Sequence, residues 1–181
     1  MLGRSLQYSN KHHAQSNMNN KIKTQSLNQV NQFTKTGITD VKFGSRVKII
    51  EPCNIYGCEL GDDVFVGPFV EIQKNVKIGA RTKIQSHSFL CELVKIGDDC
   101  FIGHGVMFVN DLFSNGSPAM GDKTKWMSTT VGHKVSIGSN ATILPVNICD
   151  GVVVGAGAVV TKNISTPGIY AGNPARMLRP I

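Results

Sequence analysis

The sequence of 181 residues is poor in aromatic and charged residues, at 7% and 17%, and contains a single tryptophan. No segment approaches the roughly 20 apolar residues of a membrane-spanning helix, and no basic start followed by an apolar stretch marks a signal peptide. We therefore expect a cytoplasmic protein without a membrane partner. Apolar residues make up 41% of the chain, which is enough for the core of one domain.

The net charge of +7 is concentrated near the start of the chain. Residues 1–40 contribute +4 and residues 41–181 only +3. A nucleic-acid-binding surface needs basic side chains on one face with aromatic residues among them. The sequence shows no such pattern, and we expect no nucleic-acid partner.

Large apolar residues recur every six positions, at Leu60, Val66, Ile72, Ile78, Ile84, Leu90, Ile96, Ile102 and Phe108. A small or β-branched residue stands four positions after each of the first eight. A period of six fits neither an amphipathic helix nor hairpin-linked strands. It fits a solenoid in which each hexapeptide is one short strand plus a corner and three close a coil of 18 residues. Strands one coil apart should then pair in parallel at about 4.8 Å.

Three segments lack the repeat. Residues 1–36 are rich in Asn, Gln, Ser and Thr, which predicts a polar, disordered leader. Residues 112–130 predict a long protruding loop, and such loops in compact domains are usually functional or disordered. Residues 167–181 must cover the last coil and predict a short irregular or helical cap. Apart from the leader, the sequence predicts one all-β domain over residues 37–181, which includes the loop and the cap.

Residues 18 apart should stack on one side of the solenoid, giving an outward column of Lys74, Glu92 and Asn110 and another of Ser86 and His104, with His87 beside it. The loop leaves the repeat after Asp111, so it should be rooted next to Glu92. Polar residues that converge at a loop root indicate a functional site. The alternative is that outward residues of a β-helix are polar in any case.

The segments IQSHSFLCELV (84–94) and FIGHGVMFVND (101–111) resemble one branch of the hexapeptide-repeat, left-handed parallel β-helix acyltransferases. That branch N-acetylates 3-amino sugars linked to UDP or dTDP. Trp126 and the runs SIGSNATILP (136–145), VGAGAVVTK (154–162) and AGNPAR (171–176) also match, although these runs are shared by many acetyltransferases. The resemblance covers about residues 41–180. The chain departs from the pattern at the 143–148 turn, which is one residue short, and at His133, where a lysine-like residue is expected.

The resemblance implies acetyl transfer from acetyl-CoA to a sugar amine, for which positioning the two substrates is the main task. The candidate catalytic residues are His104, Asn110 and Asp111. His104 is a candidate general base because histidine titrates near neutral pH. The thiolate of the departing coenzyme A could accept the proton instead. We rank positioning of the substrates by Glu92, Asn110 and Asp111 above acid–base roles.

Binding residues follow from the same resemblance. The sugar nucleotide is expected near Lys74, His87 and Glu92, and residue types do not distinguish uracil from thymine. Acetyl-CoA is expected along the C-terminal coils, with small residues beside its pantetheine and basic residues at its phosphates: Trp126, Gly138, Gly155, Ala156, Gly157, Lys162 and Arg176. The resemblance also implies a homotrimer in which the 112–130 loop reaches a second chain. Packing of Trp126 within its own loop is the alternative.

Three other functions stay open at this point. An O-acetyltransferase of serine or free sugars would depend more strictly on a histidine base. A non-catalytic scaffold would have no need for a long loop that carries the only tryptophan. A zinc enzyme of the carbonic-anhydrase type needs a pair of histidines spaced H-x-x-x-x-H, which the five histidines do not supply. The five cysteines contain no C-x-x-C pair, and Cys53 and Cys100 are predicted to be buried thiols. We therefore expect no metal.

Overall fold

The computed structural model describes residues 37–181, which form a parallel β-helix with three sheets. Successive strands along the chain pass to sheet A, then B, then C, and each strand pairs in parallel with the one a coil away. The predicted all-β hexapeptide architecture is confirmed. The predicted leader, residues 1–36, lies outside the described residues. Within 37–181, no helix has the length and apolar character required to cross a membrane.

The strands are short and are numbered in chain order. Sheet A contains β1 (Ile38–Thr39), β4 (Asn54–Tyr56), β7 (Glu71–Ile72), β10 (Phe89–Leu90), β13 (Met107–Phe108), β16 (Thr142–Ile143) and β19 (Val159–Val160). Sheet B contains β2 (Lys42–Phe43), β5 (Glu59–Leu60), β8 (Lys77–Ile78), β11 (Val94–Ile96), β14 (Thr129–Val131) and β17 (Asn147–Ile148). Sheet C contains β3 (Lys48–Ile49), β6 (Phe65–Val66), β9 (Lys83–Ile84), β12 (Phe101–Ile102), β15 (Ser136–Ile137), β18 (Val153–Val154), β20 (Ile169–Ala171) and β21 (Arg176–Arg179).

The repeated large apolar residue of each hexapeptide lies inside the solenoid. All nine positions from Leu60 to Phe108 are buried, as are the smaller residues four positions after the first eight. Two of these smaller residues are polar, and both satisfy their hydroxyl groups internally. The Thr82 hydroxyl donates to the carbonyl of Gly97, and the Ser88 hydroxyl donates to that of Gly103, each at 2.8 Å. The hexapeptide pattern therefore defines the core.

The coil length is 18 residues in the middle of the domain and 17 where the sequence skips one. Phe65 pairs with Lys83, 18 positions later, whereas Ser136 pairs with Val153, 17 positions later. The second case contains the shortened 143–148 turn. The corner at this turn is one residue shorter than most of the others, and the strands on either side of it keep their parallel pairing.

Three corners, AB, BC and CA, connect the sheets. Corner AB contains Lys74, Glu92 and Asn110, corner BC contains Arg81 and Asp99, and corner CA contains Ser86 and His104. The second residue of most corners has a positive φ, including Phe69 at 59° and His87 at 64°. Its backbone N–H donates to a carbonyl of the preceding coil, as His87 does to Pro68 at 3.2 Å. The corners therefore fasten each coil to its neighbour.

Two predictions of local structure need correction. The cap was expected to be irregular or helical, but β20 and β21 form an antiparallel pair that ends sheet C. Extended strands satisfy the open backbone groups of the last coil directly, which a helix could not. The loop ends at residue 128, two residues before its predicted end, because β14 of sheet B begins at Thr129.

The cysteine prediction is half correct. Cys100 is buried, whereas Cys53 is only partly buried, like Val47 and Ile49 near the same end of the solenoid. Fewer coils cover the interior there. Cys58 and Cys91 are buried instead. All five cysteines lie within residues 37–181 and are free thiols.

Candidate functional site

Corner CA holds several of the predicted site residues. In chain order they are His87, His104, Gly138, Ala156 and Gly157, from the early coils to the last complete one. One substrate, one catalytic and three cofactor positions thus share one edge of the solenoid. Parallel pairing places residues in register on adjacent coils about one strand spacing apart, near 4.8 Å.

His104 is exposed and is held by the residue one coil before it. Its Nδ1 lies 2.8 Å from the hydroxyl oxygen of Ser86. In the tautomer in which Nδ1 donates to that oxygen, Nε2 carries the lone pair. Within residues 37–181 no hydrogen-bond partner occupies Nε2. The column arithmetic predicted this pair, and the geometry leaves a ring nitrogen available for proton transfer.

Corner AB holds the other group of predicted residues, at the opposite edge of sheet A. The side-chain amide of Asn110 donates to the carbonyl of Glu92 at 3.3 Å. The backbone carbonyl of Asn110 accepts from the N–H of Met127 at 2.9 Å, which closes the base of the loop. Glu92, Asn110 and the loop therefore form one cluster, as the sequence predicted. His87 and Glu92, both predicted to bind the sugar nucleotide, lie at different corners.

Lys123 completes this cluster and was missed by the sequence analysis. Its Nζ lies 2.7 and 2.9 Å from the two carboxylate oxygens of Glu92, whose side chain is only 12% exposed. The same Nζ lies 5.2 Å from the centre of the Trp126 ring. Trp126 therefore makes a cation–π contact with a residue of its own loop, which is the arrangement stated as the alternative to a contact with a second chain. No periodicity in the loop could have placed Lys123 beside Glu92.

Asp111 organises the first half of the loop. One carboxylate oxygen accepts the backbone N–H of Phe113 at 3.0 Å, and the other accepts that of Ala119 at 2.7 Å. Ala119 is the buried residue of this segment. In this arrangement both oxygens of Asp111 are engaged by the loop backbone, which favours positioning over proton transfer for this residue.

Tyr56 and Gln73 lie in the coils before Glu92 and extend the polar cluster at this edge of sheet A. The side-chain oxygen of Gln73 accepts the backbone N–H of Glu92 at 3.2 Å. Burial raises the pKa of the Tyr56 phenol above its ordinary value, and the negative charges of Glu71 and Glu92 raise it further. These neighbours were not predicted, although the coil spacing could have identified them.

Lys74 lies at corner AB, one coil before Glu92, and not at the corner of His87. It is exposed and lines a cavity of about 310 Å³ together with Glu59 and Lys77, which face outward from sheet B. The carboxylate of Glu59 bridges Lys77 and Lys42, at 3.1 Å from each. The structure therefore places Lys74 toward sheet B rather than toward His87.

The predicted cofactor residues fall into two groups. Gly138 needs to be glycine for packing, because a Cβ there would overlap the backbone of Ala156 in the next coil. Gly157 has a φ of 68° and nothing within 4 Å of its would-be Cβ, so its surface is open. Lys162 and Arg176 are both exposed and line one cavity of about 230 Å³ at the C-terminal end. Two cations on one cavity fit phosphate groups. No group of three metal-binding side chains occurs within residues 37–181.

Comparison with known proteins agrees with the repeat and the fold. The family "Bacterial transferase hexapeptide (six repeats)" matches residues 57–91, and "Hexapeptide repeat of succinyl-transferase" matches residues 93–107 and 128–162. The chain thus carries hexapeptide repeats of the transferase type, and the resemblance to hexapeptide-repeat transferases identified from the sequence is confirmed at the level of the repeat. A curated relative, the bifunctional protein GlmU of Streptococcus uberis, is 30% identical over 152 residues. The match covers 80% of this chain but only 33% of GlmU, so the chain spans about a third of that relative's length.

Solved structures share the architecture. A hexapeptide-repeat acetyltransferase of Vibrio cholerae, complexed with acetyl coenzyme A, is 27% identical with a TM-score of 0.56, and the match covers 69% of this chain and 71% of that one. A mutant of the N-acyltransferase AntD of Bacillus cereus, in complex with dTDP and coenzyme A, has a TM-score of 0.60 at 24% identity, covering 78% and 81%. A mutant perosamine N-acetyltransferase of Caulobacter crescentus, in complex with coenzyme A and GDP-perosamine, has a TM-score of 0.53 at 21% identity. That match covers 78% of this chain and 57% of the other. At these identities the last two show the fold alone.

Proposed function

We propose that this protein transfers the acetyl group of acetyl-CoA to the 3-amino group of a UDP- or dTDP-linked amino sugar. The observation that carries the proposal is the exposed His104, held by Ser86 at 2.8 Å in the middle of corner CA. The 27% identity with an acetyltransferase complexed with acetyl coenzyme A supports the donor. The resemblance of segments 84–94 and 101–111 to the amino-sugar branch supports the acceptor.

The reaction needs one nucleophile and one proton acceptor. The neutral amine attacks the thioester carbonyl carbon and forms a C–N bond, after which the C–S bond breaks and coenzyme A leaves as a thiolate. The amine nitrogen gives up one proton, which Nε2 of His104 receives and passes to the thiolate, so that the products are an amide and a thiol. Ser86 holds the ring in position, and the tautomer in which Nδ1 donates to the Ser86 hydroxyl leaves Nε2 free for this step.

The donor lies along the C-terminal part of corner CA in this proposal. Gly157 offers an open backbone surface to pantetheine, and Lys162 with Arg176 offers two positive charges to the phosphates. The acceptor approaches from the earlier coils, past His87. The two substrates thus meet at His104. Glu92, Asn110 and Asp111 contribute by fixing the loop at the other edge of sheet A.

We further propose a homotrimer in which the loop reaches a neighbouring subunit. Leu112, Phe113, Met120 and Met127 expose apolar side chains on this loop, from 43% to 88%. Light scattering coupled to size exclusion should give three times the chain mass of 19.6 kDa. A monomeric mass at micromolar concentration would contradict this assembly without affecting the proposed reaction.

The test is thiol release from acetyl-CoA with UDP- and dTDP-linked 3-amino sugars offered in parallel. Release that depends on one of these sugars, with an acetylated sugar identified by mass spectrometry, is the expected result. The corresponding 3-hydroxy sugars serve as matched controls. Binding of acetyl-CoA without transfer to any amino sugar would remove the acceptor and keep the acyltransferase. Absence of acetyl-CoA binding would leave the non-catalytic scaffold.

An O-acetyltransferase is the second candidate, and the Ser86–His104 contact is the observation that favours it. A hydroxyl group is a weaker nucleophile than an amine and needs a base to remove its proton during attack. Release driven by serine, free sugars or the 3-hydroxy controls would select this candidate. In that case the His104→Ala substitution should abolish transfer altogether.

A further inference from the structure

Phe69 and His87 form a stacked pair on corner CA, and the proposed reaction does not yet use Phe69. Their ring centres are 4.9 Å apart with planes inclined by 29°. Phe69 is 58% exposed and His87 is exposed as well. An exposed pair of stacked rings offers a flat π-surface to any further ring that approaches it.

The side chain at Phe69 is unusual for its place in a corner. Its φ of 59° is the conformation that most corners adopt at their second residue, so the backbone there is ordinary for this fold. A phenyl ring at such a position, with more than half of its surface in solvent, contributes little to the core. At corner BC the equivalent positions carry ion pairs instead, such as Arg81 with Asp99 at 2.6 Å.

The position of the pair relative to His104 gives it a function. His104 lies one coil beyond His87 and two coils beyond Phe69, about 10 Å along the solenoid. The acyl donor is proposed to approach His104 from the opposite direction. A cation, Lys83, projects from sheet C in the same coil as His87, and it pairs with no acid within residues 37–181. A base, a diphosphate and a sugar would thus meet an aromatic pair, a lysine and a histidine in that order.

We propose that the nucleobase of the acceptor stacks on the Phe69–His87 pair, which makes Phe69 a nucleotide-binding residue. This inference rests on the proposed function for the identity of the acceptor. Stacking on an aromatic side chain tolerates any base and contributes about 1–3 kcal/mol per base, equivalent to roughly 5- to 150-fold in affinity. The pair therefore supplies affinity for the nucleotide, and discrimination between uracil and thymine must come from other groups.

The test is calorimetric titration of the full chain with dTDP, UDP and inorganic pyrophosphate, without acetyl-CoA. Phe69→Asn removes the ring but suits the left-handed backbone, so the variant should fold. It should weaken dTDP and UDP at least fivefold and leave pyrophosphate unchanged, because pyrophosphate has no base. Phe69→Tyr should bind like the wild type. Phe43→Asn is the control, since Phe43 is 50% exposed and lies on sheet B, away from corner CA.

Two results would overturn the inference. One is wild-type affinity of Phe69→Asn for both nucleotides. The other is a wild-type chain that binds dTDP and UDP no better than pyrophosphate. Neither result depends on acetyl transfer, so the inference and the proposed reaction can fail separately. A chain that binds nucleotides through Phe69 but acetylates none of the amino sugars would retain the stacking pair and lose the proposed acceptor.

Discussion

Lys123 lies 31 positions after Glu92 in the chain, and its ammonium group contacts both oxygens of the Glu92 carboxylate. The contact fixes the middle of the long loop to corner AB, while the hydrogen bond between Asn110 and Met127 fixes its ends. The loop is therefore attached at two places to the edge of sheet A that faces away from His104. The ion pair that holds the middle of the loop has one well-shielded partner, Glu92.

Breaking that ion pair should loosen the loop. We expect Glu92→Gln to lower the free energy that holds the loop against corner AB by about 1 kcal/mol. The loss is modest because Lys123 is largely exposed and water replaces part of the interaction. Trypsin should then cleave after Lys123 and Lys125 several times faster than in the wild type. Glu59→Gln, which breaks an ion pair on sheet B, is the matched control and should leave the cleavage rate unchanged. Equal cleavage in Glu92→Gln and the wild type would show that the contact does not restrain the loop.

Removing the proposed base should slow catalysis. If His104 accepts the proton, His104→Ala should lower kcat by about 10²–10⁴-fold. Ser86→Ala should lower kcat by about tenfold, as expected for the loss of one hydrogen bond. His133→Ala provides the control, since His133 is a surface histidine at corner BC that contacts Asp98. An unchanged kcat in His104→Ala would assign the proton to the coenzyme A thiolate.

Thr82, a buried threonine of the core, should not tolerate replacement by valine, its apolar isostere. Thr82 donates its hydroxyl to Gly97 and accepts the N–H of Cys100 at 3.0 Å. Thr82→Val leaves both backbone groups without this partner and should lower the free energy of unfolding by about 1–3 kcal/mol. Thr130→Val changes an exposed threonine on sheet B and should be nearly neutral. Urea denaturation of the three proteins measures the difference. A neutral Thr82→Val would mean that water or backbone movement satisfies these groups.

The ion pairs of corner BC should make stability sensitive to acid. Side-chain hydrogen bonds from Arg46 and Arg81 hold the pKa of Asp63 and Asp99 below the ordinary value. A carboxyl group with a depressed folded-state pKa stabilises the fold above its unfolded pKa, near 3.9, and this contribution is lost as the pH falls through the folded pKa. The denaturation midpoint should therefore decrease below about pH 4. The double variant Arg46→Gln/Arg81→Gln should show a shallower decrease, and an identical pH dependence would contradict this assignment.

Thiol reactivity should separate the cysteines by burial. Burial raises the pKa of Cys58 to about 11 and that of Cys91 to about 12, so both stay protonated and unreactive at pH 8. Cys53 and Cys149 are only partly buried and should react first with a disulfide reagent. The double variant Cys53→Ser/Cys149→Ser should remove the fast phase. Denaturation in urea should expose the remaining thiols, and rapid labelling of Cys58 or Cys91 in the native protein would indicate local opening of the solenoid.

The periodic part of the structure could be predicted because one spacing determines both the core and the columns. The 18-residue coil predicts that Ser86 lies beside His104 and Glu92 beside Asn110, as the structure has them. It could also have paired Phe69 with His87, which are 18 apart. The position of Lys123 could not be predicted, because the loop has no period. The strand β21 was missed for a related reason: its Asn-Pro and Pro-Gly neighbours indicate turns, while its pairing depends on the open edge of the preceding coil.

The corner hydrogen bonds between successive coils have a consequence for how this scaffold sets distances. Every coil adds the same rise, so the separation between two corner CA residues changes only in whole steps. A ligand that reaches from Phe69 to His104 must span the rise of two coils. Small movements of the scaffold cannot fit a substrate with a longer or shorter linker. Inserting or deleting one complete coil between them would retune the length of the preferred substrate by about 4.8 Å while keeping every side chain on its own face.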